Sequence, residues 1–118
     1  MKALSIVRPA GKNIATGRKI VEIRSWLPPV VPLRDLLIVE NGRRLEQEGD
    51  TDADGMAVAV IDITGAHPWS PEEALRDGHR HVAGYHAWVI ENVRPIASPF
   101  PAIAARGIYE VDVLLDIV

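Results

Sequence analysis

The 118-residue sequence contains no cysteine. This absence excludes a disulfide scaffold, a thiolate zinc site and a cysteine nucleophile, and it is typical of proteins from a reducing cytoplasm. No apolar run approaches the roughly 18 residues that a membrane helix needs. The N-terminal apolar stretch is interrupted at Arg8, too early for a signal peptide. The sequence therefore predicts a cytoplasmic protein without a membrane partner.

Several motifs of common enzymes are also missing, including a glycine-rich phosphate loop, a nucleophile elbow and a paired-histidine zinc helix. Four histidines are present, but no acidic residue stands near them at a familiar metal-ligand spacing, so we predict no metal site and no cofactor. The acidic stretch 46–54 lacks the glycine and glutamate spacing of a calcium loop. We expect it to form a mobile loop or hairpin excursion, and its use in capturing a protein partner is an alternative function.

The chain is of a length that favours one domain, spanning residues 1–118. Its hydrophobic fraction of 47% is enough for an ordinary core. A proline-rich connection is predicted over 27–32 and a long turn at Pro95, Pro99 and Pro101. Residues 10–16 and a segment capped by Ser70 predict two short helices. Strands are predicted over 2–7, 20–26, 36–39, 56–63, 85–93 and 107–115.

Charge is distributed unevenly along the chain. The net charge is −3, yet residues 1–24 contain six basic residues and one acidic residue. A basic segment on an acidic body predicts a local anion site. It does not predict a general nucleic-acid coat, and nothing in the sequence signals DNA in particular.

The segment 17–26 concentrates candidate functional residues. Glu22 and Arg24 alternate with Val21 and Ile23, which predicts that the acid and the arginine share one face of a strand. There they are placed to bind a polar ligand together, or to form a purely structural ion pair. If they bind ligand, we expect Arg24→Ala to abolish binding and leave the melting temperature nearly unchanged.

The aromatic residues are few, so each is expected to fill core or to line a pocket. Trp88 lies within a predicted apolar strand and is expected in the core. Trp26 and Trp69 lie at the ends of predicted elements and are the better candidates for pocket walls, where an aromatic face next to basic residues suits base stacking.

Four segments together resemble the ASCH domain (activating signal cointegrator homology), a family of the PUA-like superfamily. The most specific is a Gly-x-Lys-x-x-Glu-x-Arg pattern that begins at Gly17. The segments are an opening made of residues 2–6, Pro9 and residues 17–26, followed by 36–38, 87–95 and 106–109. The resemblance implies an α+β fold: a small PUA-like β-barrel of about six strands with two or three short flanking helices. It also implies RNA, a nucleotide or a modified nucleoside as the partner.

Some members of that family deacetylate an N4-acetylcytidine-like nucleoside, and others are assigned ribonuclease activity. In the deacetylating members, a lysine matching Lys19 works with a threonine three residues further on, where this chain has Glu22. A carboxylate is a poor replacement for a hydroxyl nucleophile, because its acyl adduct would be an anhydride. The sequence therefore favours binding over catalysis.

The leading hypothesis is an RNA- or nucleotide-binding module with a cationic cleft built from the Gly-x-Lys-x-x-Glu-x-Arg segment. The alternative is an amidohydrolase or ribonuclease, in which Lys19 stabilises charge and Glu22 acts as general base for water. The predicted ligand-binding residues are Arg8, Arg18, Lys19, Glu22, Arg24, Trp26 and Trp69.

Overall fold

A computed structural model describes residues 1–113, and within them two helices and eight strands. The helices are α1 (Ala10–Ala15) and α2 (Pro71–Arg76). The strands are β1 (Lys2–Val7), β2 (Val21–Arg24), β3 (Leu33–Asn41), β4 (Thr51–Asp52), β5 (Met56–Pro68), β6 (His86–Pro101), β7 (Ala104–Ala105) and β8 (Ile108–Glu110).

Six of these strands form one sheet in the order β2-β6-β5-β3-β1-β8, and β4 pairs with β7 in a second, two-stranded sheet. Strands β1 and β3 run parallel, whereas the other paired strands are antiparallel. The predicted α+β class and the two short helices are confirmed. The predicted barrel is not, because the six-stranded sheet does not close: its edge strands β2 and β8 have only four and three residues and do not pair with each other.

The sheet is buried on both faces, which explains the unbroken apolar run in β3. Leu36 and Ile38 point into one core cluster with Ile14 of α1 and Trp88 of β6. Leu37 and Val39 point into a second cluster on the other face. The expectation that Trp88 belongs to the core is confirmed, since its side chain is fully buried.

Strand β6 corrects one prediction from the sequence. The prolines at 95, 99 and 101 were expected to form a turn, but the strand continues through them to Pro101. The reason lies in the pairing: β2 pairs with β6 only as far as Val89, so the later part of β6 pairs with β5 alone. A proline without an N–H is tolerated on such an open strand edge.

The pairing of β5 with each of its neighbours, β3 and β6, contains a register shift close to the buried carboxylate of Asp62. Asp35 on β3 and Asn92 on β6 both have positive φ, 56° and 51°, at points where the strand registers shift. The backbone N–H of Asp35 and the side chain of Asn92 donate to Asp62, as do the guanidinium groups of Arg34 and Arg94. The Asp62 side chain thus holds three neighbouring strands together.

Candidate functional site

The buried carboxylate of Glu22 is held by two cations. Arg24 donates to its Oε2 from both Nε and Nη2, at 3.0 and 2.7 Å. The Nζ of Lys19 lies 3.1 Å from Oε1, and the Glu22 residue is only 6% exposed. The prediction that Glu22 and Arg24 share a strand face is therefore confirmed, and one negative charge is offset by two positive charges.

Arg24 also connects two parts of the fold. Its Nη2 donates to the backbone oxygen of Ser5 on β1, at 2.9 Å. Within the described residues, the hydrogen bonds of Arg24 come from Nε and Nη2 and none comes from Nη1. The N–H groups of Nη1 are therefore available to donate to a ligand. A fork of guanidinium N–H groups suits a phosphate, a carboxylate or the edge of a base.

A cleft opens beside this ion pair. Its cavity volume is about 870 Å³, within the size of typical ligand sites. Glu22, Arg24 and Trp26 line one part of it, and Ser5 and Asn41 line the part formed by β1 and β3. The cleft lies where β2 approaches β1 without pairing with it.

Three further arginines line the same cleft, and the sequence analysis did not identify them as site residues. Arg43 and Arg44 follow β3, and Arg106 lies between β7 and β8. Together with Arg24 they give the cleft four guanidinium groups, against the carboxylates of Glu22 and Glu48. The lining is thus positively charged, although the whole chain carries a net charge of −3.

The acidic segment 46–54, which contains β4, is organised by its own carboxylates. Asp50 accepts from the backbone N–H groups of Glu46 and Gln47, and Asp52 accepts from that of Asp54. The hydrogen bond from Asp54 lowers the pKa of Asp52, although partial burial opposes this. These acids are therefore engaged in local turns, and the segment includes the short strand β4, which pairs with β7.

The two tryptophans predicted as pocket walls have different surroundings. Trp26 lines the cleft and packs edge-on against Trp88, with ring centroids 4.8 Å apart. The indole N–H of Trp88 also donates to the backbone oxygen of Trp26 at 3.0 Å. Trp69 does not line the cleft and is buried with Ala74 of α2 and Ala87 of β6.

The basic residues predicted to extend the rim also lie outside the lining. The guanidinium of Arg8 covers Gly42, where an added Cβ would come within 2.6 Å of Nη2. Arg18 is exposed in the turn after α1. Lys19 reaches the site through its contact with Glu22 without lining the cavity itself.

The histidines are dispersed around α2. His67 pairs with Glu73, and this hydrogen bond lowers the pKa of the Glu73 carboxyl. The Nε2 of His81 lies 2.9 Å from the backbone oxygen of Trp69, and the two rings are tilted against each other. Within residues 1–113, no three His, Asp or Glu side chains are grouped to hold a metal ion. In the same part of the chain, no helix is long and apolar enough to cross a bilayer.

Comparison with known proteins adds a family and a fold. The family model described as the ASCH domain matches residues 4–100. Two solved structures are similar to this chain, a Tyr-to-Phe variant and a Ser-to-Ala variant of the ASCH protein from Zymomonas mobilis. The first has a TM-score of 0.51 at 17% identity, covering 84% of this chain and 73% of that one. The second has a TM-score of 0.52 at 16% identity, covering 84% and 72%. No curated protein matches the sequence.

Proposed function

The chain belongs to the ASCH domain family, and we propose that its cleft binds a nucleotide or a short single-stranded segment of RNA. The observation that carries this proposal is the pairing of Glu22 with Arg24 in a positively charged cleft, beside the exposed part of Trp26. Cations for phosphate, a polar pair for a base edge and an aromatic ring for stacking are the groups that single-stranded nucleic acid requires.

Each group has a distinct task in this proposal. Trp26 stacks on a base, and its orientation is fixed by Trp88. The Nη1 of Arg24 donates to a base edge or to a phosphate oxygen. Glu22 accepts from Lys19 and Arg24 and thereby holds the arginine in position for the ligand.

The geometry supports binding over hydrolysis. A general base must have an oxygen in reach of the water that it activates. Both oxygens of Glu22 are already in contact with cations, and the residue is 6% exposed. Glu22 also stands where the deacetylating members of the family carry a threonine, so this chain lacks that hydroxyl.

The test is calorimetric titration of nucleosides, nucleoside monophosphates and a short single-stranded RNA into the wild type. The key variant is the double substitution Lys19→Ala/Glu22→Gln, and the matched control is Lys12→Ala, an exposed cation outside the cleft. We expect the double variant to bind at least about tenfold more weakly and the control to bind like the wild type.

Two results would overturn the proposal. The first is that the wild type binds no member of the panel, and the second is that Lys12→Ala weakens binding as much as the double variant does. The same samples are then analysed for products. Conversion of an acylated nucleoside or cleavage of the RNA, lost in the double variant, would assign the cleft to the hydrolase alternative instead.

A further inference from the structure

We propose that Arg43, Arg44 and Arg106 form a phosphate subsite, distinct from the Glu22 ion pair, so that the cleft selects a phosphorylated ligand over a free nucleoside. This inference rests on the proposed function and deepens it. It assigns the phosphate to residues outside the Gly-x-Lys-x-x-Glu-x-Arg segment and leaves that segment to recognise the base or ribose.

The first argument is that these arginines converge although they are far apart in the chain. The Nη2 of Arg43 donates to the backbone oxygen of Thr51 on β4. Thr51 pairs with Ala105 on β7, and Ala105 is followed directly by Arg106. The short β4–β7 sheet therefore brings the segment after β3 to the turn before β8, and all three arginines line one cavity.

The second argument is that, within residues 1–113, two of these cations have no anion of their own. No ion pair or side-chain hydrogen bond involves Arg44 or Arg106 among residues 1–113. The nearby acids Asp50 and Asp52 are occupied by backbone N–H groups, which leaves Glu48 as the acid in this part of the lining. Converging guanidinium groups repel each other, and a bound phosphate would offset that repulsion.

The third argument is the position of Ser5 between the two groups of cations. The backbone oxygen of Ser5 accepts from Arg24, while its hydroxyl accepts from the backbone N–H of Ala105. Arg24 and Arg106 thus flank one residue of β1. A ligand that reaches from one to the other places its base or ribose at the first and its phosphate at the second.

The backbone around the arginines is held by hydrogen bonds and by packing. The Ser5 hydroxyl is also hydrogen-bonded to the hydroxyl of Tyr109, at 2.7 Å. Leu45, next to Arg44, packs against the second core cluster. Asn41 donates from Nδ2 to the backbone oxygen of Arg43 at 2.6 Å. The backbone that carries the arginines is therefore fixed before a ligand arrives, which reduces the entropic cost of binding.

The experiment compares cytidine, its monophosphates and a cytidine dinucleotide on the wild type, on Arg44→Ala/Arg106→Ala and on the control Arg76→Ala. Arg76 is an exposed arginine of α2 outside the cleft. We expect the wild type to bind a monophosphate about tenfold or more tightly than cytidine, with a preference that declines as salt is added. In the double variant that ratio falls to about one, whereas its affinity for cytidine and its melting temperature stay those of the wild type.

The outcomes separate this inference from the proposed function. Equal wild-type affinity for cytidine and its monophosphates overturns the subsite and leaves the proposed function standing, whereas binding of neither, together with no binding of any other member of the nucleotide and RNA panel, overturns both. Loss of cytidine affinity in the double variant also overturns the subsite, because the arginines would then act on the base or ribose. Tighter binding of the dinucleotide than of the monophosphates supports the subsite with RNA as the source of the phosphate, and the reverse supports it with a free nucleotide.

Discussion

The guanidinium of Arg24 donates from Nη2 to the backbone oxygen of Ser5, 2.9 Å away on a strand with which β2 does not pair. The partner strand β8 covers β1 only from Lys2 to Leu4, so the outer edge of β1 is open at Ser5. One side chain thus provides the donor that a neighbouring strand would provide in a closed barrel. The same contact places Arg24 in the cleft.

This double role predicts that Arg24→Ala lowers stability as well as ligand affinity. The substitution leaves the buried Glu22 with Lys19 as its remaining cationic partner and leaves the Ser5 oxygen without its donor. We expect a loss of about 2 kcal/mol in the free energy of unfolding, measured by urea denaturation. The sequence alone predicted ligand loss with a nearly unchanged melting temperature. Arg24→Lys keeps the charge and should lose less, and equal stability of wild type and Arg24→Ala would refute a structural role.

The buried Asp62 carboxylate and the groups that donate to it predict that the protein loses stability at low pH. Burial alone would raise the pKa of Asp62, but hydrogen bonds from the Asp35 backbone and Asn92, with the charge of Arg94, hold it below its usual range. A lowered folded-state pKa contributes stability at pH values above the unfolded pKa of about 3.9, and this contribution is lost as the pH falls through the folded-state pKa. Each unit of lowering is worth about 1.4 kcal/mol.

Urea denaturation of wild type and Asp62→Asn between neutral and acidic pH measures this contribution. We expect the variant to be about 3 kcal/mol less stable at pH 7, because Arg34 and Arg94 lose their buried anion. The difference should shrink towards low pH, where the carboxyl is protonated in both folded and unfolded wild type. A difference that stays constant with pH would show that the substitution acts through packing, and that protonation of Asp62 does not contribute to the acid destabilisation.

A side chain added at Gly55 is predicted to clash with neighbouring atoms, and Gly65 of β5 provides a matched control. A Cβ at Gly55 would lie 2.3 Å from the backbone oxygen of Ala102 and 2.8 Å from Cγ1 of Val39. At Gly65 the nearest such atom is 3.9 Å away. We expect Gly55→Ala to lower the free energy of unfolding by about 2 kcal/mol or more and Gly65→Ala to change it by less than about 1 kcal/mol. Similar values for the two variants would show that the close approach at Gly55 relaxes freely.

The capping box of α2 gives the fourth prediction. The Ser70 hydroxyl accepts from the backbone N–H of Glu73, and the Glu73 carboxylate accepts from that of Ser70. Ser70→Ala should cost about 1 kcal/mol in thermal or chemical denaturation, since it removes the cap of a helix that buries Ala74. Ser98→Ala, at an exposed position of β6, is the control and should have little effect. Equal losses in both variants would mean that the cap contributes nothing.

Local patterns in the sequence were enough to predict the features that depend on near neighbours. The alternation around Glu22 and Arg24 determined which residues share a strand face, and the spacing of Ser70 and Glu73 determined where α2 begins. The continuous apolar run over 36–39 indicated a buried strand. Each of these follows from chemistry within a few residues of the chain. The part of the strand predicted over 107–115 that follows Val113 lies outside the described residues.

Features that depend on distant pairing were not predictable in the same way. Arg43 and Arg106 reach one cleft only because β4 pairs with β7, and no local pattern indicates two strands of two residues each. The burial of Trp69 follows from the packing of α2 against β6. The prolines of β6 were interpreted as a turn because their tolerance depends on where the pairing with β2 stops, at the Val21–Val89 pair, and β2 lies far from β6 in the sequence.

The cleft is lined by an excess of positive side chains, whereas the net charge of the whole chain is negative. Four arginines and two glutamates line one cavity of about 870 Å³ on a protein with a net charge of −3. Because each copy carries a net negative charge, copies bound side by side on one polyanion would repel one another. The stoichiometry should therefore be one protein to one short stretch of strand, with many copies spaced apart along a long RNA and no cooperative coating of it.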